Sequence, residues 1–243
     1  MLRPQFLALV ATILSISLAA FSPNLAFAEF VVYSNDFDGN TQMHSGVSAS
    51  IVGGTNNGGG ITSSQGYNSF AEFGGDFWRV TAPNDVLEIK VQNVPGDQEI
   101  AVEFSLAIID SWDATSPTWG PDFLNIAILD GATQVALISE PVAGGTPLSS
   151  NVESVVVLRQ QLGFRGGSQV WWRDDGYRMR FDNLSLATNQ LTFQIWGSGS
   201  GFQGGNDESF AVDNFRVLAN PEPSAGITFA SLLAILLRRK KTR

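Results

Sequence analysis

Ten short apolar runs, separated by clusters of Gly, Asn, Ser and Pro, constrain this chain more than any other feature. They are Phe30-Val31-Val32-Tyr33, Phe77 to Val80, Val86 to Val91, Ile100 to Ile109, Phe123 to Leu129, Gln134 to Ile138, Val155 to Leu158, Tyr177 to Phe181, Leu191 to Trp196 and Phe210 to Val217. Alternation and enrichment in β-branched and aromatic residues mark them as strands. The separators at Gly53 to Gly60, Pro117 to Pro121, Gly144 to Ser150 and Gly197 to Gly205 supply the turns. No capped amphipathic helix longer than about three turns stands between them. Sheets of this many strands expose an apolar face that a second sheet must cover, so the fold class is predicted as all-β, an antiparallel β-sandwich of jelly-roll type. Ile51 to Gly66 reads as a Gly/Asn/Ser loop or a poorly ordered excursion.

The strand-forming body lies between two segments of different character. Arg3 precedes an apolar run from Phe6 to Phe21, followed by the helix breaker Pro23 and by Ala26-Phe27-Ala28. A basic start, a short apolar helix and a small-x-small site make a secretory signal peptide, with cleavage expected after Ala28. At the other end Pro221-Glu222-Pro223 precedes an apolar stretch over 225–237 and a basic end over 238–243 that opens on Arg238-Arg239. As a helix the apolar stretch spans only about 20 Å, short of the ~30 Å hydrocarbon core, so snorkelling or local thinning must complete a transmembrane helix. The basic cluster holds its end in the cytoplasm. The expected organisation is therefore a signal helix over 1–28, a β-sandwich domain over 29–219 and a tail with a short hydrophobic helix over 220–243.

Charge and cysteine content narrow the function. Of the 14 basic residues six lie in the end segments (Arg3, Arg238, Arg239, Lys240, Lys241, Arg243), and of the 23 acids only Glu222 does. The body thus carries 8 basic and 22 acidic side chains, a net charge of −14. Such a domain repels nucleic acid and anionic headgroups and attracts cations. Calcium is the abundant extracellular cation that prefers carboxylate oxygen. With no cysteine, an exported chain has no disulfide, thiol nucleophile or thiolate metal site and relies on its core and on metal.

Pro-Glu-Pro, a short apolar segment and a basic end, in that order, resemble the PEP-CTERM sorting signal. The resemblance implies recognition by an exosortase-type processing enzyme, removal of the tail, and delivery to the outer surface, biofilm or exopolysaccharide matrix of a Gram-negative bacterium. Within the body, Asn35-Asp36-Phe37-Asp38-Gly39 and Asp207-Glu208-Ser209-Phe210-Ala211-Val212-Asp213-Asn214-Phe215 resemble the opening and closing segments of jelly-roll, concanavalin-like sandwiches in exported carbohydrate-associated modules. That resemblance implies that the first and last strands pair and that a structural calcium sits near their ends.

Two acidic groups could supply its oxygens. The first joins Asp36 and Asp38 to Asp207, Glu208 and Asp213. Asp213 sits in an apolar strand where an unpaired carboxylate is costly, relieved by a cation, an arginine or capping backbone amides; Asp38-Gly39 alternatively forms only a hairpin turn. Asp36-x-Asp38-x-Asn40 lacks the glycine and distal glutamate of an EF-hand. The second group is Asp110-Ser111-Trp112-Asp113 with Gly120-Pro121-Asp122, either a rim site for metal or stacked sugar, or a solvated loop with Trp112 folded back as a plug. Trp171 and Trp172, adjacent on a strand, point to opposite faces, and the outward one is a candidate sugar platform beside Arg173, Asp174 and Asp175 or is covered by a loop. His44 is the single histidine, in a polar loop, and no Glu-x-Asp-x-Glu strand is present. The expectation is an exported, noncatalytic surface or matrix protein that binds carbohydrate with calcium support. The alternatives are a structural coat protein acting through protein contacts, and a glycan-processing hydrolase.

Overall fold

The computed structural model describes residues 28–53, 59–83, 85–116, 118–142, 155–160, 164, 174–205 and 207–220. Glu29–Pro221 close as a compact unit of their own. The expected signal helix, including Ala26, the tail with Pro221, Glu222, Pro223, Arg238 and Arg239, and the Trp171-Trp172 pair lie outside the described residues. Among the described residues no helix is long and apolar enough to cross a membrane.

The strands are β1 (Phe30–Asn35), β2 (Thr41–Met43), β3 (Ser48–Val52), β4 (Gly60–Ser63), β5 (Asp76–Val80), β6 (Val86–Gln92), β7 (Glu99–Asp110), β8 (Phe123–Asp130), β9 (Thr133–Pro141), β10 (Val155–Gln160), β11 (Asp174–Leu184), β12 (Gln190–Ser198) and β13 (Glu208–Asn220). They form two antiparallel sheets. Among the described residues sheet A has eight strands along β10-β11-β7-β13-β1-β2, with β5 paired to β13 and β4 to β5; sheet B has five, in the order β3-β6-β12-β8-β9. All ten sequence-read runs are strands, and β13 continues one residue past the boundary set at 219. Ile51 to Gly66 departs from the loop expectation, because it contains β4 paired with β5. β2, β3 and β4 hold mostly small and polar residues with little burial, so backbone pairing rather than an apolar stripe makes them strands.

Sheet B follows the period of two: in β6, Leu87, Ile89 and Val91 are buried while Glu88, Lys90 and Gln92 point away. The central strand β7 is apolar almost throughout because both its faces are covered. One face meets sheet B, where Phe193 of β12 lies 4.9 Å from Phe104 of β7 and 5.0 Å from Phe215 of β13. The other carries Ala107 and Ile109 against a smaller cluster built on Tyr67, Phe73, Phe77 and Phe164.

β13 organises sheet A. It pairs with β7 along one edge and forks on the other, lying beside β5 over Phe210 to Val212 and beside β1 over Phe215 to Ala219. The register shifts after Asp213, and Asn214 turns to φ 49°. The first and last strands therefore pair, and the branch point falls at Asp213-Asn214.

Candidate metal centre

At the end of the sandwich where β7 finishes and β8 and β13 begin, three carboxylates meet. Asp113 follows β7, Asp122 immediately precedes β8, and Glu208 opens β13 opposite Asp110. Their ligand oxygens lie within 4.8 Å of one another. Asp113 and Glu208 hang on strands of sheet A and Asp122 on a strand of sheet B, so an ion held by all three would clip the two sheets together.

The loop is folded for this. Asp122 Oδ2 accepts the Asp113 backbone N–H at 2.6 Å, and the Asp122 N–H returns to the Asp113 carbonyl at 3.0 Å. This clasp closes the turn in which Ser116 accepts from the Thr118 and Trp119 amides and the Gly120–Pro121 peptide is cis. Gly120 is required because a Cβ would stand 2.0 Å from the Asp113 carbonyl oxygen, and Gly201 because its Cβ would stand 1.8 Å from that of Trp119. Glu208 is fixed through Oε2, which accepts the Gln203 N–H at 2.5 Å.

The remaining oxygens carry the chemistry. Asp122 and Glu208 are both fully buried, and among the described residues Asp122 Oδ1 and Glu208 Oε1 have no hydrogen-bond partner. A buried acceptor left unmade costs about 1–3 kcal/mol, more when charged. Burial first, then the neighbouring Asp122, Asp207 and Asp113 charges, pushes Glu208 up to about 8 against the Gln203 amide. Burial, with Asp113 and Asp207 nearby, pushes Asp122 up to about 6 despite its own amide bond. Calcium–oxygen distances of ~2.3–2.6 Å put opposed ligands of one ion about 5 Å apart, which suits the spread of this triad. An all-oxygen set without His or Cys selects a hard cation.

The sequence-read residues divide among three places. Glu208 joins the triad, while Asp207 accepts the Ser111 hydroxyl at 2.9 Å and adds charge beside it. Asp213 lies five residues along β13 from Glu208, about 17 Å away and on the opposite face by strand periodicity, so one ion does not bridge them. It meets Asp38 instead: Asp213 Oδ2 accepts Gly74 N–H at 2.6 Å and Oδ1 that of Asn214, while Asp38 accepts the Gly75 and Asp76 amides. Both carboxylates are capped by backbone amides. Burial, against those amides and with the Asp38 and Asp36 charges, lifts Asp213 to about 7. Asp36 stays local, accepting from the amides of Asp38 and Asn40.

In the second sequence group only Asp113 and Asp122 enter the centre. Asp110 turns at φ 66° with its N–H 3.4 Å from Asp174 Oδ1. Trp112 is buried, donates Nε1–H to the Ser209 carbonyl at 2.9 Å and packs on Phe202 and Phe210, which is the plug arrangement. Trp119 on the same loop is instead 59% exposed. Sequence alone kept Asp122 and Glu208 in separate groups; the joining signal is that each stands at a strand start, and strand order decides the rest.

No family model matches the chain, and no curated protein matches it. Among solved structures it is similar to the insecticidal delta-endotoxin Cry8Ea1 of Bacillus thuringiensis (16% identity over 60% of this chain, TM-score 0.30) and to the enzymatically active domain of bacteriophage CBA120 tailspike protein 4 (11% identity over 72%, TM-score 0.33). The chain spans about a fifth of the length of either, 20% and 19%. At these scores the likeness carries no argument.

Proposed function

We propose that this is an exported, noncatalytic surface or matrix protein whose β-sandwich is braced by calcium at Asp113, Asp122 and Glu208 and adheres to extracellular polysaccharide. The carrying observation is the pair of buried, unpartnered carboxylate oxygens aimed into an all-oxygen cluster. They are costly without a cation and resolved by one. Export and delivery to an exopolysaccharide matrix rest on the signal-like start and the PEP-CTERM-like tail.

A hydrolase would use two carboxyls about 5–9.5 Å apart, wider than the 4.8 Å within which these oxygens lie. Those carboxyls must flank a sugar, and Asp122 and Glu208 are fully buried, so the cluster fits a structural ion rather than bond cleavage. The structural-coat reading draws on β9, an edge strand with Val135 and Leu137 37% and 52% exposed.

The test measures retention of the Glu29–Pro221 domain on exopolysaccharide purified from the producing organism, with millimolar calcium and then with chelator. Retention weakened by chelator, with calcium uptake seen in calorimetry, supports the proposal. Calcium uptake without retention favours the coat protein. Absence of both sinks the reading.

A further inference from the structure

The fork of β13 leaves a trough on sheet A. Two depressions of about 270 and 260 Å³ adjoin at Asn214 and Arg216, which line both. One continues toward Glu72, Glu103 and Arg178, the other toward Asn35, Asn40 and Gln42. β1 and β5 occupy different stretches of the same β13 edge, and among the described residues no strand pairs with Asp213 and Asn214 on that edge.

The lining has an unusual balance. Two of the eight basic residues of the acidic body line the trough (Arg178 on β11 and Arg216 on β13), and Arg180 lies two residues along β11 from Arg178. Each has a carboxylate beside it: Arg178 with Glu72 at 3.7 Å, Arg216 with Glu103 at 3.2 Å, and Arg180 with Glu103 at 3.1 Å. Asp36 lines the far depression. The trough therefore presents no net positive charge, and an anionic polymer gains nothing there by long-range attraction. What it offers is a close array of fixed donors and acceptors: guanidinium, carboxylate, carboxamide and the Ser105 hydroxyl. A vicinal diol is donor and acceptor at once and answers such an array. Asn214, common to both depressions, is held at φ 49° with its Nδ2 donating to the Glu72 carbonyl at 3.0 Å.

We infer that this trough is the glycan-binding site, taking a neutral, hydroxyl-rich polysaccharide strand across the β13 fork. It rests on the glycan-adhesion reading above, and it separates recognition from the calcium centre at the far end of the same strand.

The experiment compares the wild-type Glu29–Pro221 domain, the Arg178→Ala/Arg216→Ala double variant and Trp119→Ala on immobilised exopolysaccharide from the producing organism, in 0.1 and 0.5 M NaCl. Both arginine side chains are half exposed or more, 59% and 50%, so the double variant keeps the wild-type Tm. The expected result is at least about a tenfold loss of affinity in the double variant, the size of one charge-assisted hydrogen bond. Trp119→Ala and the change in salt should leave affinity unaltered. Wild-type binding that survives the double substitution overturns the trough while leaving glycan adhesion standing. Loss confined to Trp119→Ala moves the site to the loop above the acids. Binding that collapses at 0.5 M NaCl assigns an anionic glycan and overturns the neutral one. A wild type that does not bind removes both readings together.

Discussion

Glu208→Gln is the sharpest probe of the centre because it should act in opposite directions with and without calcium. In the calcium-free protein Glu208 Oε1 and Asp122 Oδ1 are buried without partners, within one cluster of oxygens 4.8 Å across. Above about pH 8, where Glu208 as well as Asp122 is charged, two full charges about 5 Å apart repel by about 3 kcal/mol at an effective dielectric of ~20. An amide at 208 removes one charge, keeps its oxygen for the Gln203 N–H, and can donate to Asp122. One orphan acceptor is worth about 1–3 kcal/mol. At about 2–4 °C per kcal/mol for a domain of this size, the calcium-free variant should melt roughly 2–12 °C above wild type. Calcium at a hundred times its Kd should stabilise wild type by about 2.7 kcal/mol, a rise of roughly 5–11 °C, and Glu208→Gln should lose most of that rise. Differential scanning calorimetry in calcium and in chelator reads both effects. A wild type indifferent to calcium, or a variant that melts lower in chelator yet keeps the full calcium shift, refutes the reasoning.

Three further outcomes follow from other parts of the fold. Asp213, raised by burial to about 7, well above the usual aspartate range, binds its proton more tightly folded than unfolded. Its contribution is whole below about pH 4 and is lost as pH rises toward 7, by about 4 kcal/mol at most. Asp213→Asn should flatten urea-derived stability across that window, and a profile parallel to wild type would exclude Asp213 as the source. Gly201→Ala drives a Cβ to 1.8 Å from the Trp119 carbonyl oxygen and should displace the clasped loop at a cost of about 1–3 kcal/mol. Calorimetry should show weakened calcium uptake, and unchanged affinity would detach the loop from the centre. Phe193→Ala, which empties the contact between Phe104 and Phe215, should lower stability by about 3–5 kcal/mol, read by chemical denaturation; a loss under 1 kcal/mol would show that the two sheets collapse into the gap.

The strands that sequence revealed are those whose burial is one-sided or complete. In β6 the alternation of Leu87, Ile89 and Val91 with charged residues states its own conformation, and β7 announces full burial by having almost no polar residue between Ile100 and Ile109. β2 to β4 sit at sheet margins with Ser, Gly, Thr and Gln, and nothing in such residues separates strand from loop until a neighbour supplies hydrogen bonds. The same limit governed the acids. Asp36 could be read as a local turn because its bonds reach only two and four residues along. Spacing along β13 already keeps Glu208 and Asp213 apart, since five residues put them on opposite faces.

What remained was partnership. Composition and pattern by themselves determined an all-β body, acidic and free of cysteine, between two segments read as targeting signals, because these properties are sums over residues or short-range periodicities. Only the tertiary structure decided that Glu208 meets Asp113 and Asp122 while Asp213 meets Asp38. That choice depends on β13 pairing with β7 in one register and forking between β5 and β1, and on sheet B bringing the start of β8 beneath them. Contacts across 86 residues of chain, from Asp122 to Glu208, are set by which sheet edges find each other. No local run of side chains encodes that.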